Sequence, residues 1–195
     1  MLGILRHRDN TPPVLGLNIQ IGVGTTRLYN RPNNWSDYYS KSAFIWTAAE
    51  LGTTKSINGI SLYHTGYSLP SSEPNQTIKI AHVAQTIFDS APAINFSDMT
   101  LTDITTVKLN FTYAIGGNNA WTFTGFTTNF VYNGTSNVIL IWEHDANDPD
   151  STAGGADGST QTAKGMTAGS GPGAPLVQTN NGTLLNVRPN IKFHY

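Results

Sequence analysis

Apolar residues recur at every second position of this chain in short runs, and turn residues close each run. Val107, Leu109, Phe111 and Tyr113 alternate with polar neighbours, and the same period returns at Ile60, Leu62, His64 and at Ile78, Ile80, His82. It also runs through Leu15, Leu17, Ile19, Ile21 and Val23. A period of two belongs to a strand with one face buried. The unbroken apolar run from Val138 to Trp142 instead reads as a strand covered on both faces. Asn58-Gly59, Asn133-Gly134 and Asn181-Gly182 supply residues suited to positive-φ turns. One helical turn interrupts the pattern: Thr47 suits an N-cap, Glu50 a capping box, and Gly52 a terminator.

Short strands with turns between them predict an all-β fold, a two-sheet antiparallel β-sandwich of jelly-roll-like kind. The 195 residues suffice for one such domain. Residues 1–18 read as an extended N-terminal arm, stiffened by Pro12-Pro13. Residues 19–195 read as the sandwich. Residues 144–175, rich in Gly, Ala, Ser and Thr, lack the strand pattern and are expected to form a long loop insertion. The apolar and aromatic ending Ile191–Tyr195 is expected to pair inside the sandwich.

Chemistry is thinly supplied. The chain has no cysteine, so no disulfide, thiolate nucleophile or Cys-held metal is available. Charged residues make up 12%, and the net charge is −1. No basic stripe exists to neutralise a phosphate backbone, and no apolar run reaches the length of a membrane span. We therefore expect neither nucleic acid nor membrane as a partner. The five histidines show no H-x-x-x-H spacing, and His64 and His82 continue apolar alternations, as satisfied strand histidines do. No G-x-S-x-G elbow occurs. The three glutamates, Glu50, Glu73 and Glu143, give only a weak signal for a glycosidic acid pair. Asp145, Asn147, Asp148 and Asp150 form the densest set of oxygen ligands, a weak calcium candidate whose EF-hand spacing fails at Pro149. No other cofactor is expected. Trp46 and Trp142 sit in apolar runs and read as core, whereas Trp35, Tyr38 and Tyr39 lie in a loop and offer rings for stacking on a sugar.

Several segments are similar to a known module. Ile21-Gly22-Val23-Gly24-Thr25-Thr26, then Tyr38–Ser42 and Ile45–Leu51, resemble its opening. Phe130-Val131-Tyr132-Asn133-Gly134-Thr135-Ser136-Asn137-Val138 resembles its F-x-Y-x-G-x-S-N-L signature, and Arg188-Pro189-Asn190-Ile191 its closing strand. The module is a β-sandwich that recurs in bacterial secreted surface and adhesin-like proteins and in phage virion proteins. The likeness spans residues 19–193 apart from 144–175. It implies a binding or structural role and supplies no catalytic residue.

The expectation is therefore a non-enzymatic bacteriophage virion protein, a capsid decoration or cement protein made in the host cytoplasm. Its partner would be the major capsid protein or another virion protein. Contact would run through the loops and the arm residues Leu2, Ile4, Leu5, Arg6 and Arg8. A homo-oligomer is expected, with a trimer suggested by analogy. The alternative is a tail-fibre, receptor-binding or adhesin module recognising surface glycan through Trp35, Tyr38 and Tyr39.

Overall fold

The computed structural model describes residues 16–29, 39–65, 72–88, 99–145, 155–170 and 182–195. Among these the chain forms, in order, β1 (Asn18–Ile21), β2 (Thr26–Tyr29), β3 (Tyr39–Trp46), α1 (Ala48–Leu51), β4 (Lys55–His64) and β5 (Ser72–Val83). There follow β6 (Leu101–Ala114), β7 (Ala120–Tyr132), β8 (Asn137–Asp145), β9 (Gly155–Ser170), β10 (Thr183–Pro189) and β11 (Ile191–His194). The smaller sheet has the order β1-β11-β4-β7. The larger has the order β10-β9-β3-β8-β5-β6, with β2 also paired to β9. Every pairing is antiparallel. The expected two-sheet antiparallel sandwich is the fold.

The alternation seen in the sequence decides which side chains fill it. Phe44, Trp46, Ile78, Ile80, Leu140 and Trp142 of the larger sheet meet Ile57, Ile60, Leu62, Ile191 and Phe193 of the smaller. Each such side chain contributes about 1.5–3 kcal/mol by leaving water. A second apolar layer lies on the opposite face of the larger sheet, where Ala43, Ile45, Ala81, Ile139, Ile141 and Met166 pack with Phe88. Val138 through Trp142 are thus buried on both faces, as their unbroken apolar run predicts.

The local signals are used as written. The Thr47 N–H donates to Glu50 Oε2 at 2.8 Å, and Gly52 ends the turn at φ +73. In the signature segment Asn133 Oδ1 accepts from the N–H groups of Thr135 and Ser136, and Gly134 takes φ +82 hard against Thr54. Asn137 then ties three pieces together. Its Oδ1 accepts from Ala48 N–H, and its Nδ2 donates to the carbonyls of Ala84 and Gln85.

The stretch 144–175 needs correction. His144 and Asp145 finish β8, and Gly155–Ser170 is a strand between β10 and β3. Its small residues concealed it, because they carry little β propensity. They are required by close packing: a Cβ on Gly165 would stand 3.0 Å from the Phe44 ring, and one on Gly158 would strike Leu28 at 2.9 Å. Asn58-Gly59 is likewise no turn. It lies within β4 at a bulge opposite β7, where the Phe123 ring covers Gly59. Of the run Leu15–Val23, Leu15 lies outside the described residues, and among residues 16–23 the strand extends from Asn18 to Ile21. Gly22 turns the chain at φ +90, leaving Leu17 and Val23 in solvent.

At its C-terminal end the chain crosses between sheets. β10 lies in the larger sheet, β11 in the smaller, and Asn190 makes the corner. The buried Asn190 side chain donates from Nδ2 to the Gly24 carbonyl at 2.7 Å and accepts at Oδ1 from Ser159 Oγ and Gly24 N–H. β11 then pairs with both β1 and β4, so the expected internal pairing of the last strand is found.

Candidate binding surface

The outer face of the smaller sheet carries a cluster of aromatic and ionisable side chains. Ser61 stands opposite both Phe123 and Lys192, and Tyr63 stands opposite Trp121. Directly opposed residues project to one side of a sheet. Since Ile60, Leu62 and Phe193 point into the core, these residues point out. The Tyr63 and Trp121 rings lie 5.3 Å apart at 57°, and Lys192 Nζ sits 4.3 Å from the centre of the Trp121 ring. The Phe123 ring meets that of His194 edge-on at 4.9 Å, and His194 Nε2 bonds Ser61 Oγ at 2.8 Å. Burial, with the charge of Lys192 added, lowers the His194 pKa below its usual 6.5. The four strands of this sheet carry Lys55 and Lys192 and no Asp or Glu.

Phe123 leads from this face into a groove of about 280 Å³ between β6 and β7, walled also by Lys108, Phe111, Thr112 and Thr124. Lys108 Nζ spans it, donating to the Gly125 carbonyl at 2.7 Å. β6 and β7 are the end strands of their sheets at this flank. They expose large apolar side chains: Ile104 at 56%, Leu109 at 63%, Phe123 at 44% and Val131 at 69%. The alternation through Val107, Leu109, Phe111 and Tyr113 breaks here, because Asn110 takes φ +46 within a strand whose register against β5 shifts repeatedly.

The ionisable groups foreseen in the sequence are held elsewhere. His64 Nε2 bonds the buried Tyr113 hydroxyl at 2.7 Å. His82 accepts at Nε2 from Asn133 N–H at 3.2 Å and faces Asp103 with Nδ1, also at 3.2 Å. Both are the satisfied strand histidines that their positions predict. Glu143 lies between Lys41 at 3.1 Å and Lys79 at 2.7 Å. Burial would raise its pKa, but hydrogen bonds and charge from the two lysines win and lower it. Glu50 is gripped by Arg188. Glu73 and His144 are both buried, with Oε2 and Nε2 3.4 Å apart and no hydrogen-bond partner at either side chain. Sequence reasoning missed this pair, because an irregular register in β5 brings Glu73 inward opposite Tyr113.

Trp46 and Trp142 are core residues, as expected, and Trp142 Nε1 donates to Gln76 Oε1 at 2.7 Å. Of the loop rings considered for sugar stacking, Tyr39 opens β3 opposite Asp145 and Ser170, whereas Trp35 and Tyr38 lie outside the described residues. Of the calcium candidates, Asp145 is the exposed end of β8, and Asn147, Asp148 and Asp150 lie outside the described residues, as do Leu2, Ile4, Leu5, Arg6 and Arg8. Among the described residues no three His, Asp or Glu side chains gather to hold a metal ion. No helix among them is long and apolar enough to cross a membrane.

No family model matches the chain, and no curated protein matches it. Among solved structures it is similar to the cysteine protease and lectin-like domains of Cwp84, a surface-layer-associated protein of Clostridium difficile. That match has a TM-score of 0.34 and 10% identity, and it covers 80% of this chain and 32% of the other, so the chain spans about a third of its length. At that level neither domain's activity transfers, and the match says nothing of a phage particle. The expectation of a non-enzymatic protein is withdrawn: the matched chain includes a protease domain, and a likeness this slight shows nothing of this chain's activity in either direction. What composition excludes is narrower: without cysteine, this chain has no thiolate for a protease of that type.

Proposed function

We propose that this chain is a structural protein of a virus particle, a bacteriophage capsid decoration protein that docks on the major shell protein through its β6–β7 flank. The supporting observation is the row of exposed Ile104, Leu109 and Val131 along two adjoining sheet ends. Apolar side chains left in water at a sheet end are stabilised by a partner that covers them. Covering them recovers roughly 25 cal/mol for each Å² removed from water. The low charge content limits the desolvation that docking must overcome. Resemblance of the Phe130–Val138 segment to a module found in virion proteins points the same way.

Purified particles carrying the doubly substituted Leu109→Lys, Val131→Lys protein provide the test. Both side chains are solvent-exposed, so the isolated variant should melt as the parent does. Quantitative mass spectrometry should show occupancy reduced at least tenfold relative to the shell protein. Unchanged occupancy would remove the flank from the contact. A parent protein present at only a few copies per particle, or at none, would end the decoration reading.

A further inference from the structure

We propose that the outer face of the smaller sheet, centred on Tyr63, Trp121, Phe123 and Lys192, binds an acidic polysaccharide, one bearing carboxylated sugar units. This goes beyond the docking flank and involves a different partner. Sugar rings present a C–H face that packs on aromatic rings and an edge of hydroxyls that needs hydrogen-bonding neighbours. The face supplies both. Trp121 and Tyr63 give adjoining rings at 5.3 Å, and Phe123 extends the surface toward the groove, where Thr112 and Thr124 supply hydroxyls. The rings are held in place. Phe123 is braced by His194 at 4.9 Å and rests over Gly59, where a Cβ would come within 2.7 Å of it. Ordering such a surface costs little at binding, since the rings are already positioned.

The charge pattern selects the class of sugar. The chain as a whole is slightly acidic, yet the four strands of this sheet hold no Asp or Glu. Lys192 is the cation beside the rings, whereas Lys55 lies at the far end of β4 against the Tyr132 ring and the Leu51 carbonyl. Lys192 Nζ is held at 4.3 Å from the Trp121 ring centre by attraction to its π face. It therefore sits over that ring's face, where a carboxylate on the bound sugar would meet it. A phosphate polymer also has charge and stacking groups. However, nucleic-acid binding draws on many phosphate contacts, and one lysine supplies few.

The probes are oligogalacturonate, dextran of matched length, and a single-stranded oligonucleotide, each titrated into the intact chain with tryptophan fluorescence and calorimetry as readouts. A glycan array carrying sialylated, uronic-acid and neutral sugars extends the survey. Carboxylated glycans should bind and perturb tryptophan emission, with affinity falling as salt rises. Trp121→Ala should weaken binding at least tenfold. Lys192→Gln should abolish the preference for acidic over neutral chains. Circular dichroism and urea unfolding of each variant establish that the fold is kept, and Lys192→Gln carries the test if Trp121→Ala does not fold. The proposal is overturned if no carboxylated glycan binds, if dextran or the oligonucleotide binds as well, or if Lys192→Gln leaves the acidic preference intact. None of these outcomes bears on occupancy of the particle through β6 and β7.

Discussion

Arg188 holds Glu50 in a two-pronged ion pair, Nη2 to Oε1 at 2.6 Å and Nη1 to Oε2 at 3.0 Å. The same guanidinium donates to the Ile45 carbonyl at 2.8 Å and lies 5.2 Å from the centre of the Trp46 ring. This joins β10 to the end of β3 and to α1. The Arg188 side chain is only 3% exposed, so removing its partner strands a charge. Glu50→Ala is expected to cost about 3 kcal/mol, a fall in Tm on the order of 10 °C. Thermal melting by circular dichroism measures it. Arg188→Met, which removes the buried charge as well, should cost less than Glu50→Ala.

The same pair sets an acid limit. Burial alone would raise the Glu50 carboxyl, but hydrogen bonds from Arg188 and Thr47 and the charge of Arg188 prevail and lower it from 4.5 to about 2. A carboxylate depressed in the folded state contributes stability above its unfolded pKa and loses it as pH falls through the folded value. Stability should therefore decline from pH 4.5 toward pH 2. In Glu50→Gln the acid decline should be shallower than in the parent, as urea midpoints at a series of pH values would show.

Gly158 pairs with Thr26 on one side and Pro189 on the other, and a Cβ there would run into the Arg188 carbonyl and come within 2.8 Å of Val187. Gly158→Val is expected to destabilise by about 2 kcal/mol through overpacking. Hydrogen exchange should show the loss concentrated in β2, β9 and β10.

Tyr113 is buried with its hydroxyl against His64. Tyr113→Phe removes that hydrogen bond from the buried imidazole and should cost about 1–3 kcal/mol by urea unfolding. Burial raises the Tyr113 phenol far above its usual 10, outweighing a hydrogen bond with Thr122. In an alkaline absorbance titration it should stay protonated until the chain unfolds.

His194 offers a local probe of the outer face. Its pKa is lowered by burial and by Lys192. Lys192→Gln should raise it, because one of the two causes is removed, and the shift should appear in the NMR titration of the imidazole C–H. The folded state favours the neutral ring. This group's contribution is present above pH 6.5 and is lost as pH falls through its lowered value.

Large side chains made the sandwich legible in the sequence. Ile60, Leu62, Ile78, Ile80 and the run from Val138 report their burial through spacing alone, and Thr47, Glu50 and Gly52 report the helical turn. β9 stayed hidden because the fold needs smallness there, at Gly158 and Gly165, and smallness resembles a loop. The surface was the least legible part. Trp121 and Phe123 alternate with Thr122 and Thr124, and aromatic residues suggest the inside. In the structure the two threonines are buried, while Phe123 faces solvent and Trp121 lies on the outer face, half-buried. Which parity faces the core depends on how β7 registers against β4, a long-range fact that no local pattern carries. The Arg188–Glu50 pair, separated by 138 residues, escaped for the same reason.

The corner at Asn190 also fixes an order of events in folding. The middle of the smaller sheet is β11, so β1 and β4 have nothing between them until Ile191–His194 have been synthesised. A nascent chain must keep Ile60, Leu62 and the whole inward face of the larger sheet unsealed until then. Pairing β1 with β11 across nearly the entire chain makes closure slow, as contacts between distant residues do. The chain is therefore most exposed to mispairing of β1 and β4 in the interval before Ile191–His194 join them.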